Sequence, residues 1–172
     1  MKKNLLSLIT IFCVLATANA ETYTHTFKNG ELTTTGGAVT LSDIEWNSTD
    51  ATLIEWNATK GIQFGSKNSL TPSYTLSTSG FAAYKIKSVT VNSSIAASGD
   101  ATMKITVGAQ TSDAYELTTS NAAYTFDCDD TNGNITINWT ATQRAYYVKS
   151  ITVEYELPTD MVEIEKPTFK TP

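Results

Sequence analysis

Five oxygen-bearing side chains stand close together late in the chain: Asp127, Asp129, Asp130, Asn132 and Asn134. Calcium takes six to eight oxygen ligands, and carboxylates and amides in loops commonly supply them. The stretch therefore predicts a calcium site, although its spacing departs from that of the helix–loop–helix calcium motif. Turn formation explains the same residues, because Asp and Asn side chains hydrogen-bond their own backbone.

Aromatic side chains offer a second chemistry, in which a flat ring stacks on a sugar while Asp, Asn and Glu bind its hydroxyls. The candidates for such a glycan site are Trp46, Trp56, Tyr84, Tyr146 and Tyr147. These two tryptophans and Trp139 are in phase with apolar neighbours, so burial in a core is the simpler explanation of each. Tyr146 and Tyr147 must point to opposite faces of one strand, and we expect one of them to be exposed.

Catalytic groups are scarce in this chain. Glu45 and Glu55 each stand beside a Trp and form the best candidate for the two carboxylates of a glycoside hydrolase. Both fall on the polar side of their strands, where a solvated Glu is ordinary. A Cys128–His25 nucleophile pair is conceivable, but Cys128 shares an apolar face with Phe126, which indicates a buried, unreactive thiol. We therefore expect no catalytic residues.

Alternating apolar and polar residues run through most of the chain after residue 20, as in Met103, Ile105 and Val107 or Ile151 and Val153. Thr, Ser and Asn occupy many of the alternate positions, which is typical of antiparallel strands with one solvated face. The pattern predicts an all-β fold, an antiparallel two-sheet β-sandwich of about ten strands that is jelly-roll-like. The Asn-Gly at 132–133 predicts a hairpin between its flanking strands.

Residues 84–91 resemble residues 146–153, since YKIKSVTV aligns with YYVKSITV. In both segments an apolar residue, Ile86 or Val148, falls on the face that Ser and Thr otherwise hold. A β-bulge around each Lys-Ser pair would account for this change of phase.

The first twenty residues have the features of a secretory signal peptide. Lys2 and Lys3 precede an apolar stretch, and Ala18-Asn19-Ala20 supplies small residues for cleavage near Ala20. The apolar stretch is too short to span a membrane, and no later segment comes close. Cleavage leaves 152 residues and, with the two lysines removed, a net charge of −7 in place of −5. Cys13 leaves with the peptide, so no intramolecular disulfide is expected.

Composition separates the rest of the chain into two parts. Residues 21–157 form the expected β-sandwich domain, while residues 158–172 contain three prolines and read as a linker or the start of a further module. The acidic balance, with a pI of about 4.8, argues against a nucleic-acid partner, which would need a basic face.

Several segments together carry a resemblance to a known group of modules. The segments are GIQFGSK at 61–67, YTLST at 74–78, IKSVTVN at 86–92, MKITVG at 103–108, GNITI at 133–137 and YVKSITV at 147–153. The chain resembles the jelly-roll-like β-sandwich accessory modules of secreted multidomain Bacteroidetes proteins. Residues 163–169, EIEKPTF, resemble the lead-in to a chitobiase-type C-terminal domain. The resemblance implies an extracellular accessory module and carries no functional residues.

These observations predict a secreted or cell-surface, non-catalytic module. Its expected partners are an extracellular polysaccharide or neighbouring domains of a longer protein, and calcium is the only cofactor that the sequence suggests. The alternatives are a structural spacer or adhesion domain without a small ligand, and a glycoside hydrolase that uses Glu45 and Glu55.

Overall fold

The computed structural model describes residues 20–157, and this part of the chain folds into thirteen β-strands in two sheets. Sheet A contains β1 (Ala20–Thr26), β4 (Ile54–Asn57), β5 (Gly61–Phe64), β7 (Lys85–Ile95), β11 (Ala122–Thr131) and β13 (Tyr146–Glu156). Sheet B contains β2 (Gly37–Leu41), β3 (Ile44–Ser48), β6 (Ser73–Thr78), β8 (Asp100–Val107), β9 (Gln110–Thr111), β10 (Tyr115–Glu116) and β12 (Ile135–Gln143). The predicted signal peptide up to residue 19 and the predicted linker lie outside the described residues.

Every strand pairing is antiparallel. Sheet A has the order β11-β7-β13-β5-β4, with β1 also paired to β13, and sheet B has the order β10-β8-β12-β6-β3-β2, with β9 paired to β8. From β5 onward the long strands alternate between the two sheets, which is the crossing pattern of a jelly roll. The all-β, jelly-roll-like sandwich that the sequence predicts is confirmed. Within the described residues no helix is long and apolar enough to cross a membrane.

The core lies between the sheets and takes the apolar half of each alternating pattern. On β8 the buried residues are Ala101, Met103, Ile105 and Val107, while Lys104 faces solvent. Burying one face of each strand fixes the register, because a shift by one residue would expose the whole apolar set. Thr, Ser and Asn occupy much of the outer faces of the sheets, which accounts for the low content of charged residues in the chain.

The two similar segments that the sequence contains lie side by side as β7 and β13. Thr90 is directly opposite Thr152, Val89 is opposite Val153, and Val91 is opposite Ile151, so a local two-fold axis passes between the threonines. The register shifts between Val148 and Ser150 on β13, and between the residues that flank Lys87 on β7. Both predicted bulges at Lys-Ser are therefore present.

The hairpin prediction at Asn132-Gly133 is wrong. This turn joins β11, which pairs with β7 in sheet A, to β12, which pairs with β6 and β8 in sheet B. An alternating pattern states which face of a strand is buried and not which neighbour the strand takes. The connection therefore crosses from one sheet to the other over the edge of the core.

Candidate functional site

Two of the three tryptophans are structural. Trp46 on β3 and Trp139 on β12 are fully buried, and the Trp139 ring lies stacked 6.5 Å from that of Phe64. Neither indole has a face that a ligand could reach, so the prediction of a ligand contact at Trp46 is corrected. Both residues are buried because they fall at the inward-facing positions of the alternating pattern of their strands.

Trp56 differs because it lies on β4, the edge strand of sheet A, and 37% of its surface is exposed. It is opposite the buried Ile62 on β5, and no further strand of sheet A covers it. Of the five aromatic candidates, Trp56 keeps the largest exposed ring surface.

Tyr146 and Tyr147 do point to opposite faces, but the expectation that one of them is exposed is wrong. Tyr146 is in the core, with its ring stacked 5.1 Å from Phe64, and burial strongly raises its pKa. Tyr147 is on the outer face of sheet A, where only 9% of it is exposed. Lys60 Nζ covers the ring at 4.7 Å from its centre.

Lys60 is held in that position by two backbone acceptors. Its ammonium donates to the carbonyl oxygens of Ile95, at 2.9 Å, and Thr119, at 2.8 Å. Burial raises the pKa of Tyr147, and the negative charge of Glu55 adds to this effect. The ring of Tyr147 is therefore covered by a fixed cation and does not offer a free face for stacking on a sugar.

Glu55, Gln63 and Tyr147 form one cross-strand row on the outer face of sheet A. Gln63 Nε2 donates to Glu55 Oε2 at 2.8 Å and to the carbonyl of Gly65 at 3.0 Å. We call this row, together with Trp56 and Lys60, the Trp56 edge, although the indole of Trp56 points to the opposite face of β4 from Glu55, because Trp56 is paired with the buried Ile62. The edge strand therefore carries a partly open indole on one face and a carboxylate, an amide and an ammonium group on the other. A polyhydroxylated ligand would contact both only by passing around the edge of β4. Gln63 and Lys60 escape sequence reasoning because only strand pairing brings them to Tyr147.

Tyr84 does not belong to the Trp56 edge. Its half-buried ring packs 5.1 Å from that of Tyr155, near the far end of β13. Eight residues separate Tyr147 from Tyr155 along that strand, which corresponds to about 25 Å. The predicted group of five aromatic residues is therefore not one site.

The predicted calcium ligands lie at the end of β11 and in the turn that follows. Asp127 and Asp129 are exposed on either side of the buried Cys128, and Asn132 and Asn134 are exposed in the connection to β12. The side chain of Asp130 lies outside the described residues. No group of three or more His, Cys, Asp or Glu suited to a metal occurs among the described side chains. The calcium site remains a prediction.

The carboxylates of the glycosidase hypothesis are not brought together. Glu45 is an exposed residue of sheet B, on the strand face opposite to the buried Trp46, and Glu55 is exposed on the outer face of sheet A. Packed sheets lie about 10 Å apart, and both side chains point away from the space between them. They cannot flank one glycosidic bond, so this pair is excluded as a catalytic site.

Cys128 and His25 make separate contacts. The Cys128 thiol is fully buried and donates to the carbonyl of Phe126 at 3.4 Å, and burial raises its pKa to about 11. His25 instead lies 3.0 Å (Nδ1) from Ser42 Oγ and 3.1 Å (Nε2) from Glu31 Oε2. The expected unreactive thiol is consistent with these surroundings, and the Cys-His pair is not formed.

The fold and its surface define a jelly-roll-like β-sandwich module. No protein-family model and no curated protein sequence matches the chain. Among solved structures, it is similar to the CBM22-1 xylan-binding domain of Xyn10C from Paenibacillus barcinonensis, with 12% identity and a TM-score of 0.48 over 81% of this chain and 97% of that one. It is also similar to a family two carbohydrate esterase from Cellvibrio japonicus, with 10% identity and a TM-score of 0.48 over 81% of this chain. The chain spans 36% of the length of that esterase.

Proposed function

We propose that the protein is a secreted β-sandwich module that binds an extracellular glycan at the Trp56 edge and does not cleave its glycosidic bonds. The observation that carries the proposal is the partly open indole of Trp56 on the edge strand of sheet A. The other two tryptophans are in the core, whereas part of the Trp56 ring stays in contact with solvent.

The chemistry of the Trp56 edge suits a neutral polyhydroxylated ligand. An indole offers apolar area to the C–H face of a sugar ring. On the opposite face of the edge strand, the oxygens of Glu55 and Gln63 can accept hydrogen bonds from hydroxyls of a glycan chain that passes around the edge. Lys60 holds a positive charge over Tyr147 between two carbonyls, which leaves one ammonium hydrogen for a ligand.

Secretion and modular arrangement belong to the same proposal. Residues 1–20 would direct export, and cleavage after Ala20 would leave residues 21–26 of β1 to pair with β13. Residues 158–172 would connect the sandwich to a further module, as in the Bacteroidetes accessory modules that the sequence resembles. The protein would then act outside the cell or at its surface, with a polysaccharide or a neighbouring domain as its partner.

Titration calorimetry, guided by a glycan array, tests the binding site. The purified protein is titrated with the plant, host and microbial polysaccharides that give array signals. Trp56→Ala should lower the affinity at least about tenfold, which corresponds to 1.4 kcal/mol. Leu157→Ala is the matched control, because among the described residues Leu157 is the other exposed large apolar side chain, also at 37%. Silence across the array, or equal losses in both variants, would refute the proposal.

A structural spacer or adhesion domain is the second candidate, and the packing of the core favours it. Trp46, Trp139, Tyr74 and Tyr146 are all fully buried, so most of the aromatic surface stabilises the fold. This function predicts no affinity for any small saccharide and no change in adhesion to the native matrix when Trp56 is replaced by Ala.

A further inference from the structure

Ser42, His25 and Glu31 form a continuous hydrogen-bonded chain of side chains, which we call the Ser42 triad. His25 lies on β1 of sheet A, Ser42 lies in the turn between β2 and β3 of sheet B, and Glu31 lies in the loop between β1 and β2. The His25 ring is 3.0 Å from Ser42 Oγ through Nδ1 and 3.1 Å from Glu31 Oε2 through Nε2. A hydroxyl, an imidazole and a carboxylate in this order are the components of an activated serine nucleophile.

The hydrogens of this chain can be placed by elimination. A carboxylate only accepts, so His25 Nε2 must carry the hydrogen that Glu31 binds. Burial lowers the pKa of His25, although the nearby Glu31 carboxylate opposes that effect, so the ring is neutral near pH 7. In a neutral imidazole the other nitrogen only accepts. Ser42 therefore donates its hydroxyl hydrogen to Nδ1, which is the direction required of a general base.

The backbone holds Ser42 at the tip of a tight hairpin. Ser42 has φ 43° and Asp43 has φ 69°, and they lie between the paired Leu41 and Ile44. Positive φ at both central residues identifies a type I′ turn, which is unusual for a pair without Gly or Asn. Ser42 is exposed there, whereas His25 is 3% exposed. The nucleophile thus lies on an exposed turn while its base is shielded.

Neighbouring groups fix the other two members. The ring of Phe27 packs edge-on against that of His25, with ring centres 4.7 Å apart. Glu31 Oε2 also accepts the backbone N–H of Lys28 at 2.6 Å, which orients the carboxylate. Tyr23 donates to the carbonyl of Leu41 at 2.6 Å and ties the turn to β1. These contacts hold the triad in place before any substrate arrives.

We propose that the Ser42 triad hydrolyses small carboxylic esters, such as acetyl groups carried on a hydroxylated molecule. Ser42 Oγ forms a bond to the ester carbonyl carbon as its proton passes to His25 Nδ1 and the carbonyl electron pair moves to the oxygen. The backbone N–H of Asp43, the residue after the nucleophile, is assigned to that oxyanion. The C–O bond of the ester then breaks, and the departing alkoxide takes the proton from Nδ1.

Water completes the cycle. It attacks the acyl carbon of acyl-Ser42 and gives a proton to His25 Nδ1, and that proton returns to Ser42 Oγ as the carboxylic acid leaves. The activity adds ester hydrolysis to the proposed glycan-binding module. It does not depend on the Trp56 edge, because no member of the triad lies on β4 or β5. Loss of glycan binding and loss of ester hydrolysis are therefore separate results.

Two measurements on the purified protein test the proposal: steady-state hydrolysis of p-nitrophenyl acetate, and covalent labelling by a fluorophosphonate located by peptide mass spectrometry. Ser42→Ala should abolish the label and lower kcat/KM at least about 100-fold, and Glu31→Gln should lower kcat more than it changes KM. Ser98→Ala is the matched control, because Ser98 is also an exposed serine in a turn with positive φ, 59°. It should keep both the label and the rate.

The opposite results would overturn the proposal. These are a label on Ser98 as strong as that on Ser42, no label on the folded protein, or Ser42→Ala protein that hydrolyses the ester at the unmodified rate. Circular dichroism establishes that each variant is folded. Ser42→Gly, which relaxes the turn, replaces Ser42→Ala if the latter does not fold.

Discussion

Gly133, between β11 and β12, lies directly against the backbone of Gly108, between β8 and β9. A Cβ added to Gly133 would lie 2.4 Å from Gly108 Cα and 2.8 Å from Gly108 N. The N–H of Gly108 donates to the carbonyl of Asn134 at 3.0 Å, so the two turns are also joined by a hydrogen bond. The contact therefore joins the β11–β12 connection, which crosses from sheet A to sheet B, to the β8–β9 turn of sheet B.

Gly133→Ala should therefore destabilise the protein more than its backbone angle alone explains. Gly133 has φ 147°, and Gly37 has φ 142° but nothing within 4 Å of an added Cβ. Gly37→Ala should lower the free energy of unfolding by about 1 kcal/mol from strain. Gly133→Ala should lower it by about 3 kcal/mol or more, because backbone atoms must also move apart. Urea denaturation of both variants measures the difference, and equal losses would contradict the contact.

The same turn shows where sequence reasoning about the fold ends. Period-two alternation correctly indicated strands, a two-sheet sandwich and even the bulges at Lys87 and Lys149, because each depends on local phase. The partner of a strand is decided by long-range packing. Asn132-Gly133 has the residues of a hairpin turn, yet Gly133 is needed for its approach to Gly108, and β11 and β12 belong to different sheets.

The candidate site was harder to predict from the sequence than the fold, because it also depends on long-range packing. Alternation placed Tyr146 and Tyr147 on opposite faces, but the covering of Tyr147 depends on Lys60, whose ammonium is fixed by carbonyls far along the chain. Trp46 and Trp56 have nearly identical neighbours in sequence. They differ because β4 is an edge strand, and β3 lies between β2 and β6.

Trp46 and Trp56 make a matched pair for stability. Trp46→Ala should lower the free energy of unfolding by about 3–5 kcal/mol, because it opens a cavity in the core. Trp56→Ala should lower it by less than about 2 kcal/mol, since the ring is already partly in water. Chemical denaturation of both variants compares them. Similar losses would mean that Trp56 is a structural residue and that the Trp56 edge is not a surface site.

Cys128 should be unreactive in the folded protein. Burial raises its thiol pKa to about 11, and the negative charges of Asp127 and Asp129 add to this, so little thiolate exists at pH 8. Iodoacetamide should modify it at least about 100-fold more slowly in buffer than in 8 M urea. Protein recovered after export should then show one thiol in urea, because cleavage near Ala20 removes Cys13. Fast modification without urea would contradict the burial.

His25 should make stability fall as the pH falls below about 6.5, the ordinary value of an unfolded histidine. Burial lowers the pKa of His25 in the folded state, so between that value and 6.5 the unfolded chain binds more protons than the folded protein. The free energy of unfolding therefore rises with pH across this window and levels off above it. His25→Gln should remove the slope near pH 6, where carboxylates contribute little.

The same shift can be observed directly, because His25 is the only histidine of the chain and its imidazole resonances need no assignment. In Glu31→Gln the pKa of His25 should fall further, since the carboxylate's charge and hydrogen bond both favour the protonated ring. An NMR titration of the two proteins from pH 4 to 8 measures this. A His25 pKa that stays the same or rises in Glu31→Gln would show that the carboxylate is not bound to the ring in solution, and it would remove the orienting member of the Ser42 triad.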